Sequence, residues 1–235
     1  MLKVDRAPGV LTLVLDRPDL GNALGPAMVE ALIAELEGVA ADPSTHTLLL
    51  CTSGRHFCTG LDLSELATLS DGDLLLRLVR IETLLAMLWH APVRTVAVAR
   101  GRTWGAGADL FAACEHRVAG ADTRFRFPGA QFGIVLGTRR LAERIGADAA
   151  RRLVLEGGEL DAPQAHAAGL VDSIASTADL AQPQVDPATA RAIRMATRAD
   201  LRDADLAALV RSAAAPGLQA RISAYRARML AARPG

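Results

Sequence analysis

Residues 101–110 read GRTWGAGADL: three glycines, Gly101, Gly105 and Gly107, stand ahead of one carboxylate, Asp109, and an apolar run. A second stretch, SGRHFCTGLDL over 53–63, has a similar build. Glycine lets a chain turn sharply, or lets another group come very close to the backbone. Each stretch follows a strand-like run and precedes a helix-like one, so each puts main-chain N–H groups at a strand-to-helix corner. Such amides have no partner inside the helix and sit at the positive end of its dipole, which suits a negative oxygen. Two such corners brought together would make a two-donor oxyanion hole. Two unrelated tight turns fit the same spacing.

Other chemistries find less support. The G-x-G order lacks the third glycine of a dinucleotide fingerprint, and no Gly-Lys-Ser/Thr exists for a P-loop. Cys51, Cys58 and Cys114 are odd in number and at no metal-like spacing, so no metal site is expected. Reduced thiols and a cytoplasmic location are the matching expectation. Formal net charge is zero, which argues against a nucleic-acid partner. Neither a signal-peptide stretch nor an apolar run of membrane-spanning length occurs, so no membrane span is expected.

The elements that must hold these corners follow from pattern. GVLTLVLDRP (9–18) reads as a strand stopped by Pro18, and DLGN as a turn. Met28, Val29, Leu32, Ile33 and Leu36 recur at helical spacing after Pro26. HTLLLCTSG (46–54) and VRTVAVARG (93–101) are strands, and Leu74 to Leu88 forms one apolar helix face that ends before Pro92. A helix opens near residue 106. HRVAG and TRFRFP are two short strands, and 139–156 reads as one amphipathic helix. In DAPQAHAAG, Asp161 and Gln164 make a capping box and Gly169 ends the helix; LVDSI is a strand. AQPQVDP (181–187) marks a boundary, beyond which the pattern is helical with breaks near Asp203 and Pro216. The expectation is an α/β core over 1–182 and a helical region over 183–235.

These residues carry a resemblance. LDRPDLGNAL is similar to the R-P-x-x-x-N-A-L motif of the enoyl-CoA hydratase/isomerase (crotonase) superfamily. FCTGLDL resembles its F-C-A-G-A-D-L, ARGRTWGAGADLFAACEHRVA its N-G-x-x-x-G-G-G-x-E-L stretch, and DAPQAHAAGLVDSI its A-x-E-A-x-x-x-G-L-V-x segment. Four motifs in order, over about residues 5–175, are far more specific than one. The resemblance implies an α/β fold with a ββα-spiral core, and a C-terminal helical region that helps build a homotrimer or hexamer. It implies an acyl-CoA thioester as substrate, with coenzyme A part of that substrate and no other cofactor. Carried over by position, the oxyanion donors are the amides of Leu61 and Ala106. Gly60, Gly105, Gly107 and Gly129 fall where substrate would lie, Trp104 either lines the same place or simply packs, and Asp109 stands where a catalytic glutamate does.

The departures matter as much. Asp109 keeps a carboxylate but reaches less far by one C–C bond, roughly 1.5 Å. The family's second glutamate follows a proline; in RFRFPGAQFG that position is Gly129, or Gln131 after a two-residue slip, and neither takes a proton. The next loop, GIVLGTRRL, is shorter than the family's. One carboxyl suits an isomerase or a weak hydratase; a non-catalytic acyl-CoA carrier is the alternative. Asp62 reads as a structural cap, Glu115 as structural, His56 as a loop residue, His90 as a helix-end cation and Arg17 as a weak candidate for a CoA phosphate.

Overall fold

The computed structural model describes residues 1–179 and 184–231. It opens with an antiparallel pair, β1 (Leu2–Ala7) and β2 (Val10–Leu15). Leu11, Leu13 and Leu15 of β2 point into the core, so one face of the strand is apolar by alternation. After the DLGN turn comes α1 (Pro26–Ala41), which begins on Pro26 as expected and buries Met28, Val29, Leu32, Ile33 and Leu36. Next are β3 (Thr47–Thr52) and α2 (Asp71–Trp89). A capping box between Ser70 and Asp73 starts α2.

The middle of the chain winds in ββα turns. β4 (Arg94–Ala99), β5 (Arg102–Trp104) and α3 (Ala106–Ala113) make one turn. β6 (His116–Ala119), β7 (Arg124–Arg126), a 3-10 turn at Pro128–Phe132 and α4 (Thr138–Ile145) make the next. α5 (Ala147–Glu156), β8 (Glu159–Asp161), α6 (Ala162–Ala167) and β9 (Ser173–Ile174) follow. Each turn gives one strand to each of two sheets. The larger has the order β1-β2-β3-β4-β6-β9, parallel from β2 onward, and the smaller the order β5-β7-β8. α7 (Pro187–Ala196), α8 (Arg202–Ala213) and α9 (Leu218–Ala231) complete the described chain.

Two expectations change. Residues 139–156 are not one helix, because Gly146 takes φ +83° and serves as the last cap of α4 and the first of α5. The break expected near Asp203 lies at 197–201, and Asp203 enters the first turn of α8. The expected division at 182/183 falls on residues outside the described ones.

The main core lies between the large sheet and α1, α2 and α3. A second cluster joins Leu74 and Leu78 of α2 to Leu209 of α8 and to Leu218 and Ile222 of α9, with Ile134. This packing brings the last helix over the two glycine corners.

Candidate active site

The first corner is built by polar side chains from the DLGN region. Asn22, fully buried, accepts from the Arg17 amide at 2.6 Å and donates to Thr52 Oγ1, to the Ser53 carbonyl and to the His56 carbonyl. Arg17 Nη1 donates to Asp62 Oδ2 at 2.9 Å and to the Ala23 carbonyl. Asp62 also accepts from the Ser64 amide. Burial works against the Asp62 charge, but the bonds from Ser64 and Arg17 outweigh it and hold the carboxyl below its usual range. Arg17 is thereby committed to the corner rather than to a CoA phosphate, and Asp62 ties a loop rather than capping a helix. Leu24 then accepts from the Asp62 amide and donates to the Gly60 carbonyl, which fixes both neighbours of Leu61. Among the described residues the Leu61 amide itself donates to no protein acceptor.

The second corner follows β5. The Trp104 amide donates to the Cys58 carbonyl at 2.9 Å, and the Gly105 amide to the Arg126 carbonyl at 2.8 Å. Gly105 has φ +54° and ψ −131°, a conformation only glycine adopts readily. Ala106 is the first residue of α3, and its amide has no acceptor among the described residues, as a helix start requires. The corners touch: a Cβ built on Gly60 would lie 2.9 Å from the Trp104 carbonyl oxygen and 3.4 Å from the Ala106 nitrogen. Gly107 departs from its expected place on the substrate. A Cβ there would sit 2.3 Å from the Cys58 carbonyl oxygen, so Gly107 lets α3 pack on the first corner and does not face the cavity.

Both corners open onto a cavity of about 530 Å³. Gly60, Leu61, Trp104, Gly105 and Ala106 line it, together with Gly129 and with Ile222, Tyr225, Arg226 and Met229 of α9. Asp109 is its only lining carboxyl among the described residues. The residue is 5 % exposed, and among the described residues its Oδ1 has no hydrogen-bond partner. Burial pushes the Asp109 carboxyl well above the usual carboxylate range; the Arg140 charge pulls it back and Glu82 adds to the rise. Behind it, Arg140 Nη1 and Nη2 make a bidentate pair with Glu82 at 3.0 and 2.6 Å.

The other candidates fall into place around this. Trp104 lies with Arg102 at 4.8 Å from its ring centre and Arg126 at 5.6 Å. Gln131 turns its amide toward Gly157 and does not line the cavity, which removes the two-residue slip. His56 accepts from the Arg102 amide behind the corners; burial, then Arg102 and Arg55, lower its pKa. Glu115 pairs with Arg194. His90 caps α2 at its C-terminal end, and burial lowers its pKa. Sequence reasoning did not reach Gly137, Glu82, Arg140 or α9. Glu82 left one signal: it stands on the apolar face of α2 between Leu78 and Leu85.

The profile of the family described as Enoyl-CoA hydratase/isomerase matches residues 5–230. The chain belongs to that family. It is 36 % identical over 177 residues to the 2,3-dehydroadipyl-CoA hydratase of Escherichia coli K12, covering 74 % of this chain and 68 % of that one. Against the enoyl-CoA isomerase/hydratase fer4 of Mycosarcoma maydis it is 32 % identical over 180 residues, 71 % of this chain and 65 % of that one. The matched stretch thus spans about two thirds of these relatives. A solved structure from Bordetella parapertussis that carries the enoyl-CoA hydratase/isomerase designation superposes with a TM-score of 0.90 at 41 % identity, covering 99 % of both chains. Membership of the enoyl-CoA hydratase/isomerase family accounts for the mixed α/β fold with its ββα turns.

Proposed function

We propose that this family member moves a carbon–carbon double bond in an acyl-CoA thioester, with the amides of Leu61 and Ala106 as oxyanion donors and Asp109 as the single acid/base group. The observation that carries this reading is the contact of two glycine corners, each with an amide uncommitted among the described residues, in one cavity whose only lining carboxyl among those residues is Asp109. When the α-carbon of a thioester loses a proton, charge moves to the carbonyl oxygen. Fixed donors aimed there act most strongly at that moment, each contributing about 2.7–4 kcal/mol. Asp109 takes the proton from C2 of a 3-enoyl thioester and returns it to C4, so the double bond moves to C2=C3 with no net change in atoms. A carboxyl whose hold on its proton is strengthened by burial is suited to both halves of that transfer. Hydration needs a second group to manage water, and Gly129 supplies none. Arg102 and Arg226, both on the cavity wall, are our candidates for the coenzyme's phosphates. We expect a homotrimer or hexamer, which light scattering on the purified protein tests.

The test is direct. Purified protein is incubated with 3-enoyl-CoA and with 2-enoyl-CoA, and the conjugated thioester absorbance is followed. Isomerisation that falls by about 10²–10⁴-fold in Asp109→Asn supports the reading. Gly129 favours one alternative, a carrier that binds acyl-CoA without turnover. Tight binding with no reaction, unaltered by Asp109→Asn, is the result that selects it.

A further inference from the structure

We propose that Arg140 is a positioning residue for Asp109: clamped by Glu82 and Asp205, it holds a fixed positive charge behind the Asp109 carboxyl and sets how readily that carboxyl takes and returns a proton. The proposal rests on Asp109 being the acid/base group of the cavity.

Five side chains make the arrangement. Arg140 is 1 % exposed, and its two terminal nitrogens are taken up by Glu82, with Asp205 Oδ2 of α8 a further 3.2 Å from Nη2. Asp205 is in turn held by Arg139 through Nε at 2.8 Å and Nη2 at 2.7 Å. Among the described residues this leaves Arg140 Nε buried and without a partner, and Asp109 Oδ1 is buried and without a partner too. An orphaned buried polar group is destabilising. Here a donor and an acceptor are orphaned together on two helices, α3 and α4, that pack against each other. An ion pair serving only stability would close its own fork. One that leaves Nε open, on a helix packed against the helix that carries an open carboxylate oxygen, has a charge to offer.

The groups around Asp109 set the sign. α2 contributes Glu82, α4 contributes Arg139 and Arg140, α8 contributes Asp205, and β5 contributes Arg102, whose guanidinium lies on Trp104. Arg139 is engaged by Asp205 and Glu143. The Arg140 charge is therefore divided between Glu82 and Asp205 on one side and Asp109 on the other. Removing either carboxylate partner turns more of it toward Asp109 and favours the ionised carboxylate. Removing Arg140 and Glu82 together favours the neutral acid.

The test uses the full chain and two readouts. The Asp109 carboxyl carbon is titrated by ¹³C NMR, assigned by its loss in Asp109→Asn, and kcat/KM for 3-enoyl-CoA isomerisation is measured against pH. In Glu82→Gln the ionisation midpoint is expected to fall by about one pH unit or more, the scale of a neighbouring charge. The acid limb of the rate profile should move with it, with KM within about twofold. The paired variant Glu82→Gln/Arg140→Gln should move both upward. Asp205→Asn, on the outer side of the network, repeats the downward shift if Glu82→Gln does not fold. Folded variants whose midpoint stays put overturn the proposal, even when wild-type turnover upholds the isomerase reading. A midpoint that moves in a protein without turnover keeps the charge relation and overturns that reading instead.

Discussion

Gly137 vacates the space that the Asp109 carboxyl occupies. A Cβ built on Gly137 would lie 2.1 Å from Asp109 Oδ1 and 2.5 Å from its Cγ. Gly137 also takes φ +66°, where a side chain is strained. A residue at the start of α4 thus fixes where an acid on α3 can point. Gly137→Ala should displace that carboxyl and lower isomerase kcat by about 10²-fold, with acyl-CoA affinity nearly kept. Single-turnover kinetics beside calorimetric binding separate the two effects. Unchanged kcat would detach Asp109 from the chemistry.

Ala106→Pro tests a backbone donor by itself. Ala106 is the first residue of α3, where proline is tolerated, and the Gly105 ψ of −131° leaves the ring room. The substitution deletes one N–H and keeps the helix. Activity should drop by about 10²–10³-fold. Circular dichroism should show an unchanged fold, and a variant as active as wild type would remove Ala106 from the oxyanion hole.

Asp109 also shapes stability against pH. Its carboxyl is raised by burial, so the folded state holds its proton at pH values where the unfolded chain has lost it. Stability conferred by the neutral form is fully present below the unfolded pKa and is lost as pH rises through the folded one. Asp109→Asn should therefore melt higher than wild type under alkaline conditions, and the gap should close toward about pH 4. Calorimetric melting across pH checks the sign.

Arg17→Ala attacks the first corner from outside the cavity. It removes the partner of a nearly buried carboxylate, with an expected stability loss of about 1–3 kcal/mol. Because Asp62 flanks Leu61, KM for the acyl-CoA should rise as well. Arg17→Ala/Asp62→Asn should recover part of the stability, measured by urea unfolding.

Gly129→Glu places a second carboxyl on the cavity wall. A Cβ there would approach the Ile134 carbonyl oxygen at 3.1 Å, so the 3-10 turn must give by a few tenths of an ångström. Hydration of 2-enoyl-CoA should rise by about 10-fold or more over wild type. No gain in a folded variant would show that the site lacks room for the water as well as the base.

Much of this arrangement was legible in the chain because it lies close in sequence. α2 announces itself by helical period, β3 and β4 by short apolar strand-like runs and α3 by the glycines before it, and the motif order carried Leu61, Ala106 and Asp109 to one family's pattern. What was not legible is long-range. Gly137 looks like any loop glycine until α4 is laid on α3. Arg140 reads as a surface residue of an amphipathic helix until Glu82, 58 residues away, is brought beneath it. α9 has no motif, yet its Ile222 and Tyr225 close the cavity through packing that periodicity does not encode. Gly107 errs in the other direction: it belongs to the motif, yet it serves the contact between two elements.

The two candidate donors belong to the peptide main chain, and this has a consequence for how such a protein diverges. Side chains at those positions can drift through almost every codon, as alanine in place of the family's customary glycine illustrates, and the amide stays. A carboxyl has no such immunity and vanishes in one substitution. Descendants of a scaffold like this one should keep their grip on the thioester long after the reaction performed on it has changed.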